Sequence, residues 1–255
     1  MQFFQEVFNI AKDNYAFFLK GIGFTMLIAL SGTIIGLLIG LITGIVRTIP
    51  TPKNIVMKAL MKIINVIIAI YVEIFRGTPM MVQSMVIFWG YAFLNGGNTL
   101  PLIPAGIFIV SINTGAYMAE IVRGGIISID KGQFEAAYSV GMTHIQTMLN
   151  VIIPQTMRNI LPAISNEFVI NIKDTSVLNV IGVTELYFFT AKISKMTWAI
   201  FETYVVACVI YFLLTFIVTR ILRLIEKKLE GPDSYIVQQS STMPNTNYLE
   251  TEAKG

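Results

Sequence analysis

The chain has 255 residues, of which 55% are hydrophobic and only 13% charged, about half the charged share of an ordinary globular domain. Mean hydropathy is +0.69, and 18 basic against 15 acidic residues leave a net charge of +3. A disordered chain is excluded, and a nucleic-acid module or a soluble enzyme is disfavoured, because a soluble fold of this size needs more charge to cover its surface. At about 20 apolar residues per crossing, roughly five to seven membrane spans fit.

The N-terminal stretch carries Glu6 and Asp13, with no basic start and no small-residue cleavage site after an apolar core. No signal peptide is expected there, and residues 1–22 read as an extracytoplasmic segment. The first clear span covers about 24–46 and ends at Arg47. Gly32, Gly36, Gly40 and Gly44 recur every fourth residue along it. They share one helix face, and a small-residue stripe of this kind lets a second helix approach closely. The spacing leaves open whether that helix belongs to the same subunit or to another.

Two prolines in 48–55 mark a loop. The apolar stretch 56–94 is too long for one straight span and is interrupted at Phe75-Arg76-Gly77-Thr78-Pro79. Further spans are expected at about 103–121, 151–172 and 203–222. Lys173-Asp174-Thr175-Ser176 follows the penultimate one, and Arg220, Arg223, Lys227 and Lys228 end the last. The lone cysteine, Cys208, lies in an apolar run and is expected to pack.

Counting 56–94 as two spans puts Arg47 and Arg123 on opposite sides. Counting it as one broken passage puts them together, with Lys53, Lys131, Arg158, Arg220, Arg223, Lys227 and Lys228. Cytoplasmic loops hold the excess of Lys and Arg. The expected protein is therefore all-α, a polytopic bundle of about five spans over 23–228, N-terminus outside and C-terminus cytoplasmic. The tail 229–255, rich in Ser, Thr, Gln, Asn and Pro, is expected to be disordered.

The most informative segment lies on the basic side. It runs from Glu135-Ala136-Ala137 through Gly141 to Pro154. A short helix over about 133–140 is expected, with Gly141 either ending it or admitting a close neighbour, and Pro154 starting or bending the next helix. The segment resembles the EAA signature of permease subunits of ABC importers of type I. Glu135, Ala136, Ala137, Gly141 and Pro154 match by identity and spacing, and Val151 and Ile153 replace the usual apolar pair. Within that family, Tyr71, Glu73, Phe75, Arg76, Gly77, Thr78, Pro79 and Gln83 resemble the permeases for polar amino acids. So do Ala116, Tyr117, Ala119, Glu120, Arg123, Gly124, Gly125 and Ile126, and Asn166-Glu167-Phe168. The likeness extends over most of 15–228.

The resemblance implies a coupling helix at Glu135 to Gly141 that docks on a separate ATPase dimer. It implies a second permease copy or related permease, an extracellular binding protein and a polar amino acid as cargo. No cofactor, metal site, catalytic residue or nucleic-acid partner is expected. No Gly-rich loop followed by Lys-Ser or Lys-Thr is present to bind ATP. Ionisable residues inside spans usually face water, a partner or each other. Glu73, Arg76, Glu120, Glu167, Lys173 and Asp174 are the candidates for lining a substrate path. Arg76 would pair with Glu73 if that stretch is helical. The same charges would suit an ion-coupled carrier or channel. A membrane enzyme finds no familiar catalytic set in the sequence.

Overall fold

The computed structural model describes residues 2–50, 52 and 54–229. The expected disordered tail lies outside the described residues, apart from Leu229. An amphipathic helix, α1 (Gln2–Asp13), is followed by α2 (Tyr15–Val46), which at 32 residues begins well before the expected span. Ile10 and Phe18 are already buried, against Leu186, Ile193 and Val206. Packing of the bundle therefore begins before residue 23.

The long apolar stretch forms α3 (Ile55–Gly77) and α4 (Met80–Leu94), split where Thr78 and Pro79 leave helical geometry. Pro79 fixes its own φ and disfavours helix in the residue before it. Helix α5 (Leu102–Ile127) is the most enclosed span, with buried positions along its whole length. Helices α6 (Lys131–Ser139) and α7 (His144–Thr147) follow, then a π-turn at Met148–Ile152 and α8 (Ile153–Asp174). A 3-10 segment, Thr175–Ile181, leads to α9 (Leu186–Thr197) and α10 (Ile200–Leu229). Among the described residues, four helices are long and apolar enough to cross a membrane. The segment His144–Ile181 and α9, bent by 58° to each other, give a fifth when the pair is counted as one span.

The glycine stripe is an internal joint. A Cβ on Gly32 would lie 2.5 Å from Val110 Cγ1, and one on Gly36 2.8 Å from Thr114 Cβ. One on Gly40 would run into Met118, and one on Gly44 would lie 2.8 Å from Val122 Cβ. Each partner on α5 lies the same number of residues further along the chain, so α2 and α5 run in parallel. The segment between them, α3 with α4, therefore makes one net crossing. Arg47 and Arg123 accordingly sit at the same end of the bundle, joined through Glu120. This selects the topology with a single broken passage.

Cys208 is exposed on α10 and does not pack in the core as expected from its apolar neighbours. An outward position on an apolar helix surrounded by lipid needs no protein partner. Sequence hydropathy alone does not separate the two situations.

Candidate coupling segment and translocation cleft

The coupling segment is built on a buried foot. Ile129 joins a core with Val122, Ile126, Met148 and Ile152, and Phe134 packs against it. Asp130 then caps α6, its carboxylate accepting from the backbone N–H of Gly132 at 2.7 Å. Ala137 is buried, while Glu135, Ala136 and Tyr138 are exposed. The helix ends in a turn closed by Gly141 N–H donating to Tyr138 O (3.0 Å) and Met142 N–H donating to Ala137 O (3.1 Å).

Gly141 has φ +85°, and a Cβ there would meet nothing within 4 Å. Its glycine is required by left-handed backbone geometry, which side chains disfavour. Of the two expectations for Gly141, the end of the helix is what the turn shows; within this chain no neighbour comes within 4 Å of its Cβ position, and the constraint there is conformational.

Beyond the turn, Thr143 and Gln146 form a reciprocal capping box, and Pro154 sits in the first turn of α8. Two side-chain contacts brace the platform. Tyr138 OH lies 3.0 Å from His144 Nδ1, and Gln155 Nε2 donates to Gln133 Oε1 at 3.1 Å. The outcome is a small rigid surface with Ala136 and Glu135 outermost, bordered by exposed Val140, Ile145 and Leu149.

Of the candidate path residues, Glu120 has a structural partner set. It accepts from Arg47 on α2 and from Arg123 Nε and Nη2 at 3.0 and 2.8 Å. It clamps the basic ends of α2 and α5. The expected Glu73–Arg76 pair does not form. Arg76 instead lies over the Tyr117 ring, 5.6 Å from its centroid. A cation on an aromatic face keeps the guanidinium on α5 rather than on its own helix, leaving Glu73 exposed.

Glu73, Arg76, Tyr117, Arg47 and Glu120 line one cleft of about 490 Å³. Its rim is the Phe75–Pro79 break, which is held by Gln83. The Gln83 amide donates to Phe75 O and Thr78 O, both at 2.9 Å, and its oxygen accepts from Asn113 Nδ2 on α5 at 2.8 Å. Glu167 on α8 is within electrostatic reach of Arg76 and of Asp174. Lys173 belongs elsewhere, in a groove between α8 and α10. Thus Glu73 and Arg76 share a cleft with Glu120, whereas Lys173 lines a different groove. Lys173 and Asp174 do close α8 at a helix break, as expected.

Two buried polar knots were not evident from sequence. Asn171 donates to Thr33 Oγ1 (2.8 Å) and accepts from Thr114 Oγ1 (3.1 Å), joining α8 to the α2–α5 joint. Glu185 is 0% exposed. It caps α9 by accepting from Tyr187 and Phe188 N–H at 2.9 and 2.8 Å, and it accepts from Tyr211 OH at 3.0 Å. Thr25 hydroxyl stands 3.5 Å away. A buried carboxylate must be satisfied in this way. Glutamate is not a common N-cap, so the local pattern carried no signal for it.

Residues 56–231 match the family described as the inner-membrane component of binding-protein-dependent transport systems. The chain belongs to this family. The permease is 32% identical to the arginine transport system permease protein of Bacillus subtilis over 231 residues, which cover 89% of this chain and 98% of that one. It is 38% identical to the L-cystine transport system permease protein of Bacillus subtilis over 165 residues, 64% and 70% of the two chains. It is 34% identical to the glutamine transport system permease protein of Escherichia coli over 66% of this chain and 77% of that one.

Among solved structures, one of an amino acid ABC transporter with histidines aligns with a TM-score of 0.72 and 35% identity, covering 85% of this chain and 95% of that one. An inward-facing methionine ABC transporter shares the fold, with a TM-score of 0.64, 19% identity, and coverage of 83% and 97%. The permease is therefore a multi-pass membrane subunit of an ATP-driven importer. ATP hydrolysis belongs to a separate ATPase subunit, and a binding protein supplies the cargo, as the family implies.

Proposed function

We propose that this permease passes a polar amino acid from an extracellular binding protein to the cytoplasm, and that α6 is its coupling contact with the ATPase dimer. The observation that carries the coupling role is the platform itself. Ala136 and Glu135 stand exposed on a helix whose other side is fixed to the bundle by Ala137 and Phe134. Small exposed residues beside Gly141 and Pro154 suit insertion into a groove on a partner. Arg47, Arg123 and Lys131 lie at the same end, which supports a cytoplasmic placement with the N-terminus outside.

The names of the relatives support an amino-acid cargo. The cleft supports it too, since Glu73 and Arg76 offer both signs of charge to a zwitterion. Glu167 and Asp174 complete this path, whereas Glu120 shapes its inner end through the arginines. Glu73 and Arg76 are exposed on the outside of an apolar helix. Lipid does not cover unpaired charges cheaply, so a second permease copy or a related permease is the fitting neighbour. On this reading 23–228 is the transport domain and 133–154 the coupling segment.

The test is Ala136→Trp. The residue is exposed, so the variant should fold and retain its thermal stability while losing association with the cognate ATPase. ATP-driven amino-acid uptake in proteoliposomes containing the ATPase and binding protein should fall with it. Unchanged association and uptake would remove α6 from the coupling role.

A further inference from the structure

Between α8 and α10, Lys173, Arg220 and Arg223 line one groove of about 230 Å³. Its apolar wall is Phe212, Phe216 and Val169. None of the three cations forms an ion pair among the described residues, and no carboxylate lines the groove. The Arg220 guanidinium lies 4.9 Å from the Phe216 ring centroid, which holds it along the groove wall.

The level of the groove follows from α10. Between Thr203 and Thr219 the helix has no charged residue. At 1.5 Å per residue this run is about 26 Å long, close to the thickness of a hydrocarbon core. Arg220 is thus placed where acyl chains give way to headgroups. Arg223 is one turn further on, and the long stem of Lys173 lets its ammonium reach the polar region from within the apolar layer. Two threonines beside the cations are already committed. The Thr215 and Thr219 hydroxyls donate to Tyr211 O (2.8 Å) and Thr215 O (2.7 Å) of their own helix. The free donors in the groove are the three cations alone.

We propose that this groove is a binding site for an anionic phospholipid. The phosphate headgroup is held by Lys173, Arg220 and Arg223, and an acyl chain lies along Phe212 and Phe216. Charge complementarity selects the headgroup, and basic pockets between membrane helices bind such lipids. The apolar wall selects a lipid over a free anion. The site depends neither on the identity of the cargo nor on the docking of α6.

The experiment is native mass spectrometry of the full-length permease released from detergent. It is titrated with phosphatidylglycerol, with phosphatidylcholine of the same acyl chains, and with inorganic phosphate. Phosphatidylglycerol should be retained in preference to phosphatidylcholine, and millimolar phosphate should not displace it. Each of R220Q and R223Q should weaken retention about fivefold, the effect of about one surface charge. K12Q, which removes a cation outside the groove, should leave it unchanged. Should the groove variants not fold, photo-crosslinking of the wild-type chain with an azido-phosphatidylglycerol gives the answer, with adducts expected on α8 and α10 peptides. Equal retention of phosphatidylcholine, displacement by phosphate, insensitivity to both arginine substitutions, or adducts confined to other helices would each overturn the proposal.

Discussion

Replacing Gly40 by alanine tests the joint between α2 and α5 with a single methyl group. That methyl would meet Met118 Cβ, and it would lie 2.7 Å from Met118 C and 2.9 Å from Ala119 N. Two of these atoms are backbone, so no rotamer change relieves the clash and the helices must separate. Overpacking of this kind costs about 1–3 kcal/mol. Alanine recovers up to about 1 kcal/mol of helix propensity over glycine, so from the middle of that range a net loss of about 1 kcal/mol is expected. For a chain of this size that corresponds to a fall of about 2–4 °C in the unfolding midpoint. Gly23 on the same helix is the control, because a Cβ there meets nothing within 4 Å. Gly23→Ala should gain propensity without a clash and raise the midpoint by about 2–4 °C. The assay is the loss of the monodisperse chromatographic peak after heating in detergent. If both variants move the midpoint in the same direction, or if Gly40→Ala leaves it unchanged, the stripe does not hold the helices as described.

Three further outcomes are expected. Gly141→Ala should lower thermal stability by roughly 1–2 kcal/mol through left-handed backbone strain, with Gly141→Asn milder; the same heating assay ranks them, and equal loss would contradict a conformational cause. Glu185→Ala leaves two part-buried N–H groups and the Tyr211 hydroxyl without their acceptor, at about 1–3 kcal/mol each. It should abolish recovery of folded protein, whereas Glu185→Gln keeps one acceptor oxygen and should be recovered in part; equal yields of the two would refute the capping role. Cys208, exposed on an apolar helix, should be protected from a charged maleimide in proteoliposomes and labelled after solubilisation in SDS, as read by intact mass; labelling in the intact membrane would contradict a lipid-facing position.

The parts of this protein legible in its sequence were those where a local pattern carries the physics. The four-residue spacing of Gly32 to Gly44 announced a close helix contact, and Gly141 announced the end of α6. The partner of the stripe was hidden. Val110, Thr114, Met118 and Val122 share that spacing, yet their sizes differ and nothing marks them among the other apolar residues of α5. The helix break at Phe75–Pro79 was visible from its proline and glycine, but its latch through Gln83 and Asn113 joins residues on separate helices. Charge positions were read less well. Arg76 has a carboxylate three residues away and yet lies on the ring of Tyr117, because tertiary packing offers it an aromatic face. Glu120 looked like a path residue, since its second arginine partner, Arg47, arrives only when α2 and α5 run side by side. Glu185 gave no signal, because its partners come from α2, α9 and α10.

The parallel joint of α2 and α5 also limits how this molecule can move. Four notches on one helix receive four side chains of the other in a single register. Sliding by one residue, about 1.5 Å along the axis, would take every notch off its tooth. The next setting that fits is four residues away, about 6 Å. Small axial slippage is therefore blocked, and the two helices behave as one beam. Since α6 follows directly from the end of α5, a thrust applied at that platform is delivered to the beam as tilt or rotation, and little of it is dissipated as creep between helices.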